Sequence, residues 1–457
     1  MTKTTANLTP ANENPWYVLM TLYGEQKGEE VVRQRADDNR RVWNAWACHH
    51  LADEDRMRVV AAAGVDVSEA HGWKAIAESV RERHRWEMME RNGDAFEYRG
   101  FPDANDAIGL VGLDCEGAIA LEQVIFSQPV IFRGTVFKRD VVLRGCVFMQ
   151  NASFGGAQFT KSAVFDGAMF EHNALFNDAV FDQTAGFDGV AFSRSALFNG
   201  AKFSKDVNFQ GVEFGGTCEF QRAQFGQRNP QTACQPNFQG GSFTKVASFR
   251  DAIFCNQYPL LEGAKFNEGI VVTAKPEMWP NRVAVPLLTG VHEQSRSSAW
   301  QSSKESCAVL RRELAKQSLP EDEHFFFRRE MRFTAQIGGW WARLPYRVFG
   351  ALSNFGQSIS RPVISLLVLW AVPALVLMVY FAWLQVMGET SWTGGHALGL
   401  SFSNIFTFFG FHRVYFDMEL VRALPAPLKV MGAAQTIAAL PLLFFLGLGL
   451  RKRFRLR

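Results

Sequence analysis

The chain has 457 residues, with 48 Lys and Arg against 45 Asp and Glu, and it carries 41 Phe. A length of this order accommodates two to four structural units. The nearly balanced charge gives no footprint for DNA or RNA, so no nucleic-acid partner is expected. Seven scattered Cys with no C-x-x-C pair point to reduced thiols rather than a disulfide framework or a zinc site.

Residues 1 to about 14 are polar and read as an unstructured start, without the apolar run of a cleaved signal peptide. From Trp16 to about Arg99 the spacing becomes helical, with runs over Val31–Leu51, Asp53–Ala63 and Trp73–Arg91. His49 and His50 are adjacent, so on a helix they point in different directions and do not suggest a metal. Residues 1–105 are therefore expected to form a helical domain that caps the open end of the repeat domain next to it.

Residues 106–270 are organised by an internal repeat. Blocks of eleven succeed one another, among them GAQFTKSAVFD and GAMFEHNALFN. Phe recurs at Phe159, Phe165, Phe170, Phe176, Phe181, Phe187, Phe192, Phe198, Phe203 and Phe209, in alternating steps of five and six. A small or apolar residue stands two positions before each Phe. One column is nearly all Gly (Gly134, Gly145, Gly156, Gly167, Gly189, Gly200, Gly211), with Asp178 in the same place. A helix is excluded, because a Gly per repeat costs about 1 kcal/mol each and steps of five scatter Phe around the axis. Four short inward-facing strands per 22 residues satisfy the spacing, and the Phe side chains then form four stacked columns. Turn residues at every corner supply the permissive backbone angles.

This A-x-F spacing resembles the pentapeptide-repeat family, over roughly Leu110 to Phe266. The resemblance implies a right-handed quadrilateral β-helix; the extra residue in every second repeat is a departure that should enlarge alternate corners. Some soluble members mimic DNA and act on DNA gyrase, but that needs a strongly acidic face, which the balanced charge here does not supply. The rhythm breaks at GQRNPQTACQPN and resumes at Phe238, with an echo at Phe266.

Residues 271–345 read as a helical connector, with helices over Ser302–Gln317 and Glu321–Phe333. Ser318-Leu319-Pro320-Glu321 has a capping-box pattern between them. Trp340, Trp341 and Tyr346 then make an aromatic belt at the approach to a membrane. In the membrane module, 346–457, the stretches 363–387 and 430–450 are each long and apolar enough to span a bilayer, Pro373 being a tolerated kink. Arg343, Arg347 and Arg361 precede the first; Arg451, Lys452, Arg453, Arg455 and Arg457 come after the second. The positive-inside rule then puts both ends and the repeat domain in the cytoplasm. Gln435 and Thr436 lie within the second stretch and read as glue between helices.

Between the two stretches lies an apolar segment, 397–416, centred on Gly410. The order of elements resembles a two-helix cation-channel pore, which makes Thr407, Phe408, Phe409, Gly410 and Phe411 a candidate pore loop. The residues depart from a T-V-G-Y-G filter: there is one Gly, and His412 and Arg413 come next. The module also resembles that of membrane-anchored bacterial pentapeptide-repeat proteins, which implies a bacterial inner-membrane location.

The expected fold class is thus mixed: a right-handed quadrilateral β-helix, a helical N-terminal domain and a two-helix transmembrane module. No P-loop, G-x-S-x-G, H-E-x-x-H or dinucleotide fingerprint occurs, so no catalytic residue, metal or cofactor is assigned and the chain reads as non-enzymatic. The leading functional reading is a membrane-anchored interaction scaffold for a protein partner. The alternative is an ion channel assembled as a homo-oligomer and gated by the repeat domain. The partners are therefore the lipid bilayer, further copies of the chain, and a protein that the residues do not identify.

Overall fold

The computed structural model describes residues 8–26, 32–93, 95–227, 234–280, 293–388, 391–411 and 422–453. The chain divides into two compact units, Met1–Glu330 and Met331–Arg457.

The first unit is built on a parallel β-solenoid. Its strands form four sheets of eight, eight, six and seven strands, each pairing with the strand one coil away. Register obeys the repeat: Phe159 lies between Phe137 and Phe181, and Phe170 between Phe148 and Phe192. The rings stack almost parallel within a column, from 4.5 Å (Phe148 on Phe170) to 5.2 Å (Phe203 on Phe225). These are close to the strand spacing of about 4.8 Å. Neighbouring columns meet edge to face, as Phe187 does with Phe198 at 5.5 Å and 90°, so both favourable aromatic geometries are used. The Phe residues of the ladder from Phe159 to Phe209 are all buried, and each buried ring contributes roughly 1.5–3 kcal/mol.

The alternate corners are of two kinds. In the two-residue corners an N–H closes back on the C=O three residues earlier, as in Ala168 to Phe165 at 2.9 Å. The second corner residue has positive φ, +66° at Gly167 and +57° at Asp178, as a type II turn demands. That requirement is the reason for the glycine column. Both kinds of corner knit coil to coil through side chains; at the two-residue corners Asp166 Oδ1 accepts from the Asp188 N–H (3.1 Å), and the three-residue corners do the same. Asn151 Oδ1 accepts from the Asn173 N–H (3.2 Å), and Asn173 Oδ1 from the Ser195 N–H (3.3 Å).

The break after Phe225 changes the offset between paired strands from 22 to 29 residues, as in Asn208 with Asn237, without interrupting the columns. Phe209 still stacks on Phe238 at 4.9 Å. Residues 228–233 of that break lie outside the described residues. All seven cysteines are free thiols. Cys146 and Cys218 occupy inward positions, and burial pushes the Cys146 thiol up to about 12.

The N-terminal helices are α1 (Pro15–Met20), α2 (Arg33–Cys48), α3 (Asp53–Ala63) and α4 (Trp73–Asn92). With the segment before them they cover the first strand of every sheet. Residues 8–14, expected to be unstructured, are ordered: Thr9–Pro10 adds a strand to Leu113–Cys115, and the Asn14 amide donates to Gly109 O at 2.8 Å. The Ala118 N–H donates to Gln26 O at 2.9 Å. On the fourth sheet α2 supplies both partners of Ile125: Trp43 Nε1 donates to its carbonyl (2.9 Å) and Asn44 Oδ1 accepts from its N–H (2.9 Å). Unpaired strand edges are thereby closed to other chains.

The opposite end is covered by α5 (Glu293–Lys316) and the first turns of α6 (Pro320–Thr334). Trp279 stacks on Phe254 at 4.6 Å, and Phe326 packs edge-on against Trp279 at 4.8 Å. Gln317 Nε2 donates to Ile270 O at 3.0 Å. Much of the stretch read as a connector is therefore a second cap. The expected capping box is also corrected. Ser318 has φ +58° and belongs to the end of α5, where the Leu319 N–H reaches back to Leu314 O at 3.2 Å. A left-handed residue closes a helix rather than opening one.

The second unit contains α7 (Trp340–Ser353), α8 (Ser360–Val386), α9 (Gly394–Ile405) and α10 (Ala426–Arg453). Two of these, α8 and α10, are long and apolar enough to cross a membrane. They pack together with α9, and α7 packs on both.

Candidate functional site

Two regions offer chemistry to other molecules: the flank of the solenoid and the helical hairpin between α8 and α10.

On the flank, the three-residue corners stack into a column of outward side chains. At Gly215-Gly216 that column loses its side chains for one coil. A Cβ on Gly216 would lie 2.5 Å from the Arg194 carbonyl carbon, so only glycine lets the coils approach there. The gap leaves a groove of about 670 Å³ lined by His172, Arg194, Ser195, Thr217, Lys245 and Glu268 among others. Lys245 pairs with Glu268 at 2.7 Å, whereas Arg194 is exposed and forms no ion pair among the described residues. The groove is thus polar, with a net positive rim. Among the described residues no group of His, Cys, Asp and Glu is arranged to hold a metal ion.

In the second unit α9 runs antiparallel to α8. Near its start Trp392 packs on Phe381 (5.2 Å); two turns further on, Trp370 Nε1 donates to Leu398 O (3.1 Å) and Ser401 Oγ to Trp370 O (2.7 Å). Trp370 lies 11 residues before Phe381, so α9 descends along about 17 Å of α8. The chain then returns, because Leu424 packs with Leu377, Phe381 and Leu384 near the starting end.

Gln435 fastens this hairpin. It is buried, and its Nε2 lies within hydrogen-bond distance of Leu369 O (3.0 Å), Ser401 O (2.9 Å) and Ser401 Oγ (2.8 Å). Its Oε1 accepts from Asn404 Nδ2 at 3.1 Å, and Thr436 Oγ1 donates to Asn404 O at 2.9 Å. Gly432 permits that approach, since a Cβ there would lie 3.1 Å from Asn404 Nδ2. One amide therefore joins three helices, as its position within an apolar helix suggests.

The predicted loop residues lie at the bottom of the hairpin. Thr407–Phe409 form a 3₁₀ turn, and Gly410 comes next with φ +72°. The carbonyls of Phe406 and Thr407 accept from the Phe409 and Gly410 N–H groups (3.0 and 3.1 Å), so this backbone is a closed turn and not an extended run of free carbonyls. Phe409 is 61% exposed, while Phe411 lies 5.6 Å from it and 6.0 Å from Phe402. The side chain of Phe408, and residues 412–421 with His412 and Arg413, lie outside the described residues.

The ten ladder Phe residues face the solenoid interior, and so serve the fold rather than a ligand. Sequence reasoning missed the flank groove; its signal was the doubled glycine where every other three-residue corner has at most one.

Residues 121–169 and 187–228 match the family of pentapeptide repeats, in 9 copies. Neither the curated proteins nor the solved structures provide a match to the chain. The solenoid is therefore built of pentapeptide repeats.

Proposed function

We propose that this protein is a non-enzymatic scaffold of the bacterial inner membrane. Its solenoid and both termini lie in the cytoplasm, α8 and α10 cross the bilayer, and a protein partner docks on the solenoid flank. The carrying observation is that both ends of the solenoid are covered while its flank is open beyond the stretch that α3 packs on, and the flank groove puts Arg194, without an ion pair among the described residues, at its rim. A rigid surface closed at its ends offers its flank and little else. The membrane part is supported by the two apolar helices and by charge: Arg361 and Arg451 lie at the same end of the pair, where Gly449 packs against Ile359, as cytoplasmic basic residues do.

A photo-crosslinking residue at Thr217 in cells tests this reading. Adducts that are lost with Arg194→Glu are expected. No adduct from Thr217, or from any other flank position, would sink the scaffold.

One observation favours a second reading. The hairpin of α9 and Gly410 would place irregular backbone deep in the bilayer, which is tolerated where protein or a water-filled cavity surrounds it. A homo-oligomer assembling these hairpins around a pore meets that condition. Current in planar bilayers that changes with Gly410→Trp would carry this reading; silence from a folded oligomer would remove it.

A further inference from the structure

The membrane unit carries a marked charge imbalance near α7. From Met331 to Gly388 the chain has Arg332, Arg343, Arg347 and Arg361 and no Asp or Glu, and α10 has no Asp or Glu either. Helical spacing gives α7 three faces. Phe349 lies on the inner one and packs on Phe445 of α10 at 5.1 Å. Trp341 and Val348, seven residues apart, lie on a second face that is 77% and 40% exposed. Arg343 and Arg347, one turn apart, share the third.

An elbow sets the attitude of this helix. Asn354, Phe355 and Gly356 have φ of +49°, +57° and +77° in succession. A left-handed Phe is strained, and two contacts hold it there. Phe355 lies against Gly350, where a Cβ would approach within 2.7 Å of its ring. Ser353 Oγ accepts from the Gly356 N–H at 3.0 Å. Beyond the elbow Arg361 donates back to Gly350 O at 3.1 Å, capping the end of α7. The depth is set by Phe445, which lies six residues, or about 9 Å, before Arg451. That level corresponds to the boundary between acyl chains and headgroups.

Two arginines one turn apart repel each other, and neither α8 nor α10 supplies a carboxylate. Arg343 Nε is moreover buried and unpartnered among the described residues. A buried guanidinium donor without an acceptor is costly, and a phosphate oxygen is the acceptor that arginine pairs best.

We propose that α7 is a membrane-surface helix whose Arg343 and Arg347 bind the phosphate of an anionic phospholipid headgroup, while Trp341 and Val348 enter the acyl region. This rests on the reading of α8 and α10 as membrane spans. Arg361 is occupied at the end of α7 and sets its position instead of binding the lipid.

The test uses the full-length protein and two lipids of equal chain length, phosphatidylglycerol and phosphatidylcholine, with bound lipid counted by native mass spectrometry. Wild type should prefer phosphatidylglycerol, and R343Q/R347Q should lose about twenty-five-fold in its binding, about fivefold per arginine. R343K/R347K should keep most of the preference, and the exposed single change R347Q gives a reading should the double glutamine variant fold poorly. Equal binding of the two lipids by wild type would overturn the proposal. Binding of inorganic phosphate as tight as that of the lipid would overturn it too, by making the ligand a free anion. Carbonate extraction from vesicles separates the underlying assumption: an extractable protein defeats the membrane reading itself, whereas a resistant protein without lipid preference defeats only the headgroup site.

Discussion

The solenoid and the helical second unit use polar groups in opposite places. In the solenoid the interior is built of Phe and small apolar residues, and the polar side chains knit the outside, coil to coil and cap to edge. In the helical unit the exterior is apolar, with Ile364, Leu367, Val372 and Val379 all more than half exposed, and the interior is held by the amide of Gln435. The contrast teaches that each region is specified where its surroundings offer no alternative partner. Apolar side chains specify a core beneath a polar surface, and a buried amide specifies one among helices that are apolar outside as well, where hydrophobic contact alone does not discriminate between partners.

The strongest way to break this contrast is to put charge into the aromatic column. Phe187→Asp, between Phe165 (4.9 Å) and Phe209 (4.8 Å), buries an unpaired carboxylate and should cost several kcal/mol. Loss of the cooperative β-sheet melt by circular dichroism is expected, and a native melt would refute the ladder as the source of stability. Asn44→Ala tests the edge closure. It leaves the Ile125 N–H without its acceptor and should destabilise the cap by about 1–3 kcal/mol, read as faster amide exchange in Ile125–Phe126 while central coils are unchanged.

In the helical unit, Gln435→Leu keeps the volume and removes the amide. A loss of about 0.5–2 kcal/mol in detergent unfolding is expected, with α9 loosened before α8 and α10 separate. An unchanged α9 would mean that apolar packing suffices. The smallest effect is at a corner: Gly167→Ala at φ +66° should cost about 1 kcal/mol, read as a few degrees in the melting temperature.

Much of the solenoid could be read from the chain, because one rule is repeated at fixed spacing and every coil reports on the others. Phe159 and Phe187 declare their columns, and Gly167 its turn. The caps were only partly legible. The helices over Asp53–Ala63 and Trp73–Asn92 can be derived from periodicity, but that Trp43 and Asn44 meet Ile125 depends on a contact about eighty residues away in sequence. The early strand Thr9–Pro10 is hidden for the same reason: a Thr-Pro pair carries no pattern, and its order comes from the edge it completes. The flank groove depends on what Gly215 and Gly216 lack. An absent side chain is visible only once its neighbours are in place.

The closed ends of the solenoid have a consequence for its history. The N-terminal cap reaches along the flank as far as Met169 and Glu171 in the third coil; the coils beyond that are indifferent to number, so insertion or loss of 22 residues among them changes neither end. Each such event lengthens or shortens the rod by one strand spacing, about 4.8 Å. The domain is in that sense a ruler graduated in coils, whose reach can be reset by duplication without redesigning the structure at either end.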